Sequence, residues 1–424
     1  MVTLYLLSAR KVGEVDFEHL RKLCVADVVV VDAFEEMALL PKEALPFIKR
    51  IIHVREKPRK SLFPCAYLDD DDCLSSIKKD VDEHGVKEPK FLSLSEELVP
   101  VALGLEVAFN QTDSTLLPAK LHKVFTDKVV MKKFMVENGI PAPTVNSLGI
   151  ACDMSEKTLV SAAENLGLPM IVKPLSEAGS FQVHKINDLS DIKHCLETMK
   201  SIAPNLNFEA ETFLSGALYH CDFMVAGGEV YYEACGRYLH PVMEARQGKP
   251  MGSVMVPADL PEYTDLMSVA RKALACLKLQ TAAVHMEFFR TRSHGVVFLE
   301  LGMRPPGITA MSKLTSGNLF TLSVLQKVMG TAIAYNQLHA GSASAWAWIP
   351  AHKTGVISET ITAISHPLIE ECLVEGLKGE CVSHGCAPTE AYRPLMRIKT
   401  REALYSDVMD ALSYSLRKEH MKIS

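Results

Sequence analysis

The sequence predicts a chain of mixed class, a parallel α/β domain followed by α+β units, and three observations carry that prediction. The opening alternates strand-like and helix-like segments. A short strand then enters a Ser/Gly loop within a small unit of mixed periodicity. Longer strands follow, with one long helix among them. Hydrophobic periods of 2 and 3.6 residues separate the two element types.

Val2–Leu7 reads as a strand, Asp16–Cys24 as a helix with Phe17, Leu20 and Leu23 in phase, and Val28–Val31 as a second strand. A continuous apolar run suits a strand covered on both faces, hence a parallel sheet. Ile51–Val54, a helix over Cys73–His84, Phe91–Leu94 and a helix from Ser95 to about Glu106 extend this domain to about residue 118. The aspartates Asp69–Asp72 stand at a helix start, where negative charge complements the dipole, and are read as a solvated start rather than a cation site. Asp127–Asn138 is helical in spacing and stops at Gly139 before Pro141 and Pro143, which marks a domain boundary. Beyond it come a helix at Glu156–Leu166, a strand at Met170–Lys173, the loop Ser176–Ser180, a helix at Leu189–Met199 and strands near Phe208–Leu214 and His220–Val225. A larger sheet is expected from Val230–Ala234, Gly252–Val256, Ala282–Phe289 and Val296–Leu301, with a helix at Tyr263–Leu277. The tail closes in a helix over Glu402–Arg417.

At 424 residues, 48% hydrophobic and 23% charged, the chain can bury large cores and is long enough for roughly two to four domains. A formal charge of −6 argues against nucleic-acid binding by bulk charge. No apolar stretch approaches the length of a membrane helix, and Arg10 and Lys11 follow the first strand in the wrong order for a secretory signal, so a cytoplasmic address is expected. Eleven cysteines without a CxxC pair read as reduced thiols, and Cys381 and Cys386 lack the second pair that a zinc site needs. Neither GxGxxG nor GxxxxGK[ST] occurs, which removes the Rossmann dinucleotide site and the P-loop.

Four features occur in one order: Asp127-Lys128; Ile171-Val172-Lys173-Pro174 with its Ser/Gly loop; Glu211 through Gly216; and Glu287 followed by Glu300 and Arg304 through Gly307. Two lysines, a small-residue loop and two carboxylates on neighbouring strands are what a nucleoside triphosphate with magnesium requires. Ammonium groups neutralise phosphate oxygens, backbone N–H groups cover them, and hard oxygens hold the cation. Each lysine alone also reads as a surface lysine, and Glu300, between Leu299 and Leu301, also reads as a strand residue facing water. His285 and Glu287 share a strand face, where His285 either orients a ligand or sits satisfied in the sheet. The pair matches half of a zinc deaminase signature, but the PCxxC half is absent.

On these motifs, with "DKVVMKKFMVENGIPAPT", "PMIVKPLSEAGS", "FEAETFLSG", "AAVHMEFF", "VFLELGMRPPG" and the closing "IKTREALYSDVMDAL", the chain resembles the ATP-grasp superfamily, in its branch of carboxylate–amine ligases related to L-amino-acid ligases and carnosine synthase. The resemblance implies an ATP-grasp fold with an N-terminal Rossmann-like (pre-ATP-grasp) domain at 1–118, a connecting helix at 119–144 and a small subdomain acting as lid at 145–215. A large subdomain with the Mg-ATP and substrate site at 216–340 and a C-terminal α+β subdomain at 341–424 complete it, both ATP-grasp sheets being antiparallel. It further implies that Lys128 and Lys173 touch ATP phosphates under the loop residues Ser176, Gly179 and Ser180. Glu211, Phe213 and Leu214 meet the adenine, Glu287 and Glu300 bind Mg²⁺, for which Mn²⁺ can substitute, and Arg304 stabilises the transferring phosphoryl group. Two departures stand out. Gly302 occupies the place of a metal-binding asparagine, and Leu218 that of a ribose-binding glutamate, so that ribose contact falls to Asp222.

The implied activity is ATP-dependent joining of a carboxylate, an amino acid by preference, to an amine through an acyl-phosphate, with release of ADP and phosphate. The partners are small-molecule carboxylate and amine substrates, with neither nucleic acid nor membrane, in a homodimer. Rivals are a carboxylase of the biotin-carboxylase type and a non-catalytic ATP-binding regulator, for which Gly302 is the argument. Glu233, Arg237, His240, Glu244 and Arg246 are either a substrate-facing cluster or a solvated charged loop.

Overall fold

The computed structural model describes residues 2–58 and 67–110 apart from 24–25, and 122–306 apart from 178, 248 and 250. It also describes 318–333 and, towards the C-terminus, 342–348, 353–360, 369–375, 379, 381–382, 395–401 and 421–423. Strands β1 (Val2–Leu7), β2 (Ala26–Ala33), β3 (Ile48–Val54) and β4 (Pro89–Ser93) form a parallel sheet in the order β3-β2-β1-β4. The run Val28–Val31 is apolar throughout because both faces are covered. Leu4, Leu6, Val28 and Val30 pack with Phe17, Leu20 and the helix Leu319–Met329, whereas Tyr5, Leu7, Val29 and Val31 pack with Cys73 and Ile77. The first of these cores also takes in Met224, Tyr232 and Ala234, so the N-terminal sheet and the large sheet share buried surface. Helix Leu319–Met329, for which the sequence reading has no counterpart, makes that junction and is capped by Asn318.

Asp69 caps the helix Asp70–His84 by accepting from Asp72 N at 2.9 Å, with three acids in its first turn, as the charge pattern predicts. Asp127 likewise caps Lys128–Glu137, accepting from the amides of Val129 and Val130. That helix ends at Asn138 before Gly139, whose φ of 75° suits glycine.

Strands β5 (Val145–Ile150), β6 (Met170–Pro174), β7 (His184–Ile186) and β8 (Asn207–Thr212) form a small antiparallel sheet in the order β5-β8-β6-β7. Met170, Val172, Phe208 and Ala210 face the helices Glu156–Leu166 and Asp191–Ile202, which turns Ile171, Lys173, Glu209 and Glu211 to the other side. Strands β9 (Gly216–Ala226), β10 (Glu229–Tyr238), β11 (Met251–Met255), β12 (Thr281–Thr291), β13 (Gly295–Gly302) and β14 (Ser342–Trp348) join the strands 395–401 and 369–375 in an eight-stranded sheet. Its order is β13-β12-β9-β10-β11-β14, then 395–401, then 369–375. One face of β9, carrying Tyr219, Cys221, Phe223 and Val225, packs on the helix Pro261–Leu277. The opposite face carries Leu218, His220 and Asp222. The expected closing helix Glu402–Arg417 and Gly307 lie outside the described residues, and among those described no helix is long and apolar enough to cross a membrane.

Candidate functional site: a cleft between the small and large sheets

A cleft between the two antiparallel sheets is lined by Lys128, Lys173, Gly179, Ser180, Glu211, Phe213 and Leu214 on one side and by Leu218, Glu287 and Glu300 on the other. Lys173, next to the strand's last residue Pro174, is buried, with its Nζ 2.8 Å from Glu211 and 3.8 Å from Glu209. Lys132 completes this group. It contacts Glu209 Oε1 and lies 2.7 Å from Glu211, with no exposed side-chain surface. Burial alone disfavours charge on Glu211, but Lys132 and Lys173 outweigh it and hold the carboxyl below its usual range. For Glu209 burial wins and the pKa is raised. Lys173 is desolvated too, yet Glu211, Glu209 and Glu300 keep it charged.

Glu211 lines the cleft with its carboxylate engaged by two lysines, and Phe213 and Leu214 line it just beyond. Phe213 lies under the ammonium of Lys185, 4.1 Å from the ring centroid. Lys128 donates to Glu177 O at 2.7 Å, tying the connecting helix to the loop. Glu177 in turn accepts from Tyr67 Oη at 3.0 Å, so the loop is also fastened to the N-terminal unit. Gly179, Ser180 and Gln182 have φ of 60°, 55° and 51°, a conformation that turns backbone N–H groups toward one side of a loop. Ser176, in the same loop, is exposed and outside the cleft lining.

Across the cleft, Glu287 and Glu300 are partners in register on β12 and β13 and so share a face. Glu287 accepts from Tyr238 Oη at 2.8 Å, and its Oε1 is 3.6 Å from His285 Nε2. Burial raises the Glu287 carboxyl, but the nearby His285 and the hydrogen bond from Tyr238 prevail and lower it. Glu300 is half-buried and its carboxylate makes no hydrogen bond or ion pair with a described residue. An unpartnered carboxylate beside a second one, facing lysines, fits a hard divalent cation.

Asp222 is buried beside the cleft. Its two oxygens are taken by His220 Nδ1 at 2.8 Å and His285 Nδ1 at 2.6 Å, and the residue is absent from the cleft lining. Arg304 is engaged by the N-terminal unit. Glu96 of the N-terminal unit holds Nε at 2.9 Å and Nη2 at 2.7 Å, and Nη1 donates to Pro305 O. Arg304 therefore lines a neighbouring cavity, with Phe91, Met303 and Lys327, rather than the cleft itself. Gly302 belongs to the same arrangement. A Cβ there would lie 3.2 Å from Glu96 Oε2, so the missing asparagine coincides with room for the glutamate that grips Arg304. Glu233 pairs with Arg271 and the Arg237 guanidinium lies over Tyr219, both toward the face covered by helix Pro261–Leu277.

Sequence reasoning missed Lys132, Glu209, His220, Tyr238 and Glu96. One signal was available: Lys128 and Lys132 are four apart on a helix and Glu209 and Glu211 two apart on a strand, so each pair projects from one face.

No protein-family model matches the chain. It is 25% identical over 186 residues to an L-arginine-specific L-amino acid ligase of Bacillus subtilis, covering 43% of this chain and 44% of that one. It is 27% identical over 197 residues to D-alanine--D-alanine ligase A of Brucella melitensis biotype 1, covering 44% and 54%. The chain thus spans about half the length of the curated relatives it matches. An L-amino acid ligase from Bacillus licheniformis superposes with a TM-score of 0.71 at 14% identity, covering 100% of this chain and 98% of that one. With the two antiparallel sheets and the cleft between them, these likenesses show that the chain has the ATP-grasp fold and is similar in sequence to carboxylate–amine ligases over part of its length.

Proposed function

We propose that the chain is an ATP-dependent ligase that joins a carboxylate, an amino acid by preference, to an amine, with ATP and Mg²⁺ held in the cleft. The observation that carries this reading is the opposition of charge across it: Lys128 and Lys173 under a loop with left-handed backbone, facing Glu287 and Glu300 on paired strands. Mg²⁺, when held by Glu287 and Glu300, would neutralise phosphate charge. Lys173 and Lys128 orient the phosphates, and the loop excludes water. A substrate carboxylate oxygen attacks the γ-phosphorus and ADP leaves. The amine nitrogen then attacks the acyl carbon, phosphate departs with the C–O electron pair, and the nitrogen loses a proton. No protein nucleophile is required, which suits the cysteines: Cys221 and Cys235 are buried within the sheet and away from the cleft.

The test is ADP release from Mg-ATP screened over pairs of amino acids, with hydroxylamine in place of the amine to trap the activated acid as a hydroxamate. Glu300→Gln should abolish both signals while the protein remains folded by circular dichroism. ATP binding without ADP release for any acid would sink the ligase reading, and a strict requirement for bicarbonate would replace it with a carboxylase.

A further inference from the structure

A buried polar chain runs through the large sheet behind Glu287 and is not used by the reaction as described. Ser253 Oγ on β11 is hydrogen-bonded to His220 Nε2 on β9 at 2.7 Å. His220 Nδ1 meets Asp222 Oδ2 at 2.8 Å, and Asp222 Oδ1 meets His285 Nδ1 on β12 at 2.6 Å. The other nitrogen of His285 faces Glu287 Oε1, which Tyr238 also engages. All six side chains are buried, in a place where apolar residues would cost less.

A second, independent observation comes from β10, which lies between β9 and β11. Its Gly236 is paired in register with His220, and a Cβ at 236 would lie 2.3 Å from His220 Nε2 and 2.6 Å from Ser253 Oγ. Gly236 is not among the residues with positive φ, so space rather than backbone conformation calls for glycine. The strand is bare at the point where the His220 to Ser253 hydrogen bond crosses it.

We propose that Ser253, His220, Asp222 and His285 form a positioning chain for Glu287, which rests on the nucleotide and metal reading of the cleft. The acceptor-only carboxylate of Asp222 fixes both imidazole rings through their Nδ1 atoms. His285 and Tyr238 then act on Oε1 of Glu287, which leaves Oε2 as the oxygen for the cation. Residues that orient a metal's ligands govern affinity as the ligands do, and their loss typically costs about 10–100-fold.

The experiment measures Mn²⁺ binding to the full chain with saturating ADP, by the loss of the free-ion paramagnetic resonance signal. Asp222→Asn and Gly236→Ala should raise the half-saturating Mn²⁺ concentration by about 10–100-fold, with metal-free ADP affinity unchanged. Tyr238→Phe and Ser253→Ala, milder changes at the two ends, should raise it less and fold like the parent chain, so they decide the matter where the stronger variants do not fold. Parental Mn²⁺ affinity in folded Tyr238→Phe and Ser253→Ala together would overturn the proposal. So would Mn²⁺ that binds without ADP and is lost in Asp222→Asn, since His220, Asp222 and His285 would then be the ligands themselves. A parent chain that binds ADP but no Mn²⁺ removes the metal reading of the cleft, and this proposal with it.

Discussion

The two walls of the cleft handle buried charge in opposite ways. On the small sheet, Lys132 and Lys173 interleave with Glu209 and Glu211, so the charges compensate one another. On the large sheet, Glu287 and Glu300 face each other with hydrogen bonds to only one of them. On the first wall opposite charges pair within one sheet, and that pairing holds Lys173 in place. On the second Glu300 has no hydrogen bond or ion pair with a described residue, and the opposite charge nearest in effect is Lys173 across the cleft. A half-buried carboxylate left in that position suits a cation.

The largest effect that would break this comparison is at Lys132. Lys132→Met should destabilise the protein by about 3–5 kcal/mol, because Glu209 and Glu211 are left buried with one cation between them. Urea denaturation measures this directly. A loss below about 1 kcal/mol would place the cluster with weak surface pairs. Adding Glu209→Leu to Lys132→Met should recover much of the loss, since removing both partners also removes the desolvation cost.

The next effect is in acid. Glu211 has a folded pKa below its unfolded value, so its contribution is fully present above the unfolded value of about 4.3. It is lost as pH falls from there through the lower folded value, because the unfolded chain takes up the proton first. Glu211→Gln should therefore flatten the fall of stability below that pH, by at most about 1.4 kcal/mol per pH unit. Superimposable slopes for the two proteins would mean that Glu211 is not held ionised by its lysines.

The smallest effect lies outside both walls and serves as a scale for them. Asp69→Ala removes the cap of helix Asp70–His84 and should cost about 1 kcal/mol. Urea denaturation of this variant beside Lys132→Met checks it. An Asp69→Ala loss equal to that of Lys132→Met would erase the distinction between a half-buried cap and a fully buried ion cluster.

What the amino-acid sequence by itself determined is local. The covered strand Val28–Val31, the acidic helix start at Asp69–Asp72, the helix stop at Gly139 and the order of Lys128, Lys173, Glu287 and Glu300 all follow from spacing and residue type. These signals need no partner farther away than a turn or two. The tertiary structure alone decided which charges meet. Lys132 reaches Glu209 across 77 residues, His285 reaches Asp222 across 63, and Arg304 reaches Glu96 across 208. Strand register and the docking of the N-terminal unit set those pairs. Periodicity assigns each of these residues to a face, but the neighbour on the opposing face depends on which strands align, and that set the partners of Asp222 and Arg304.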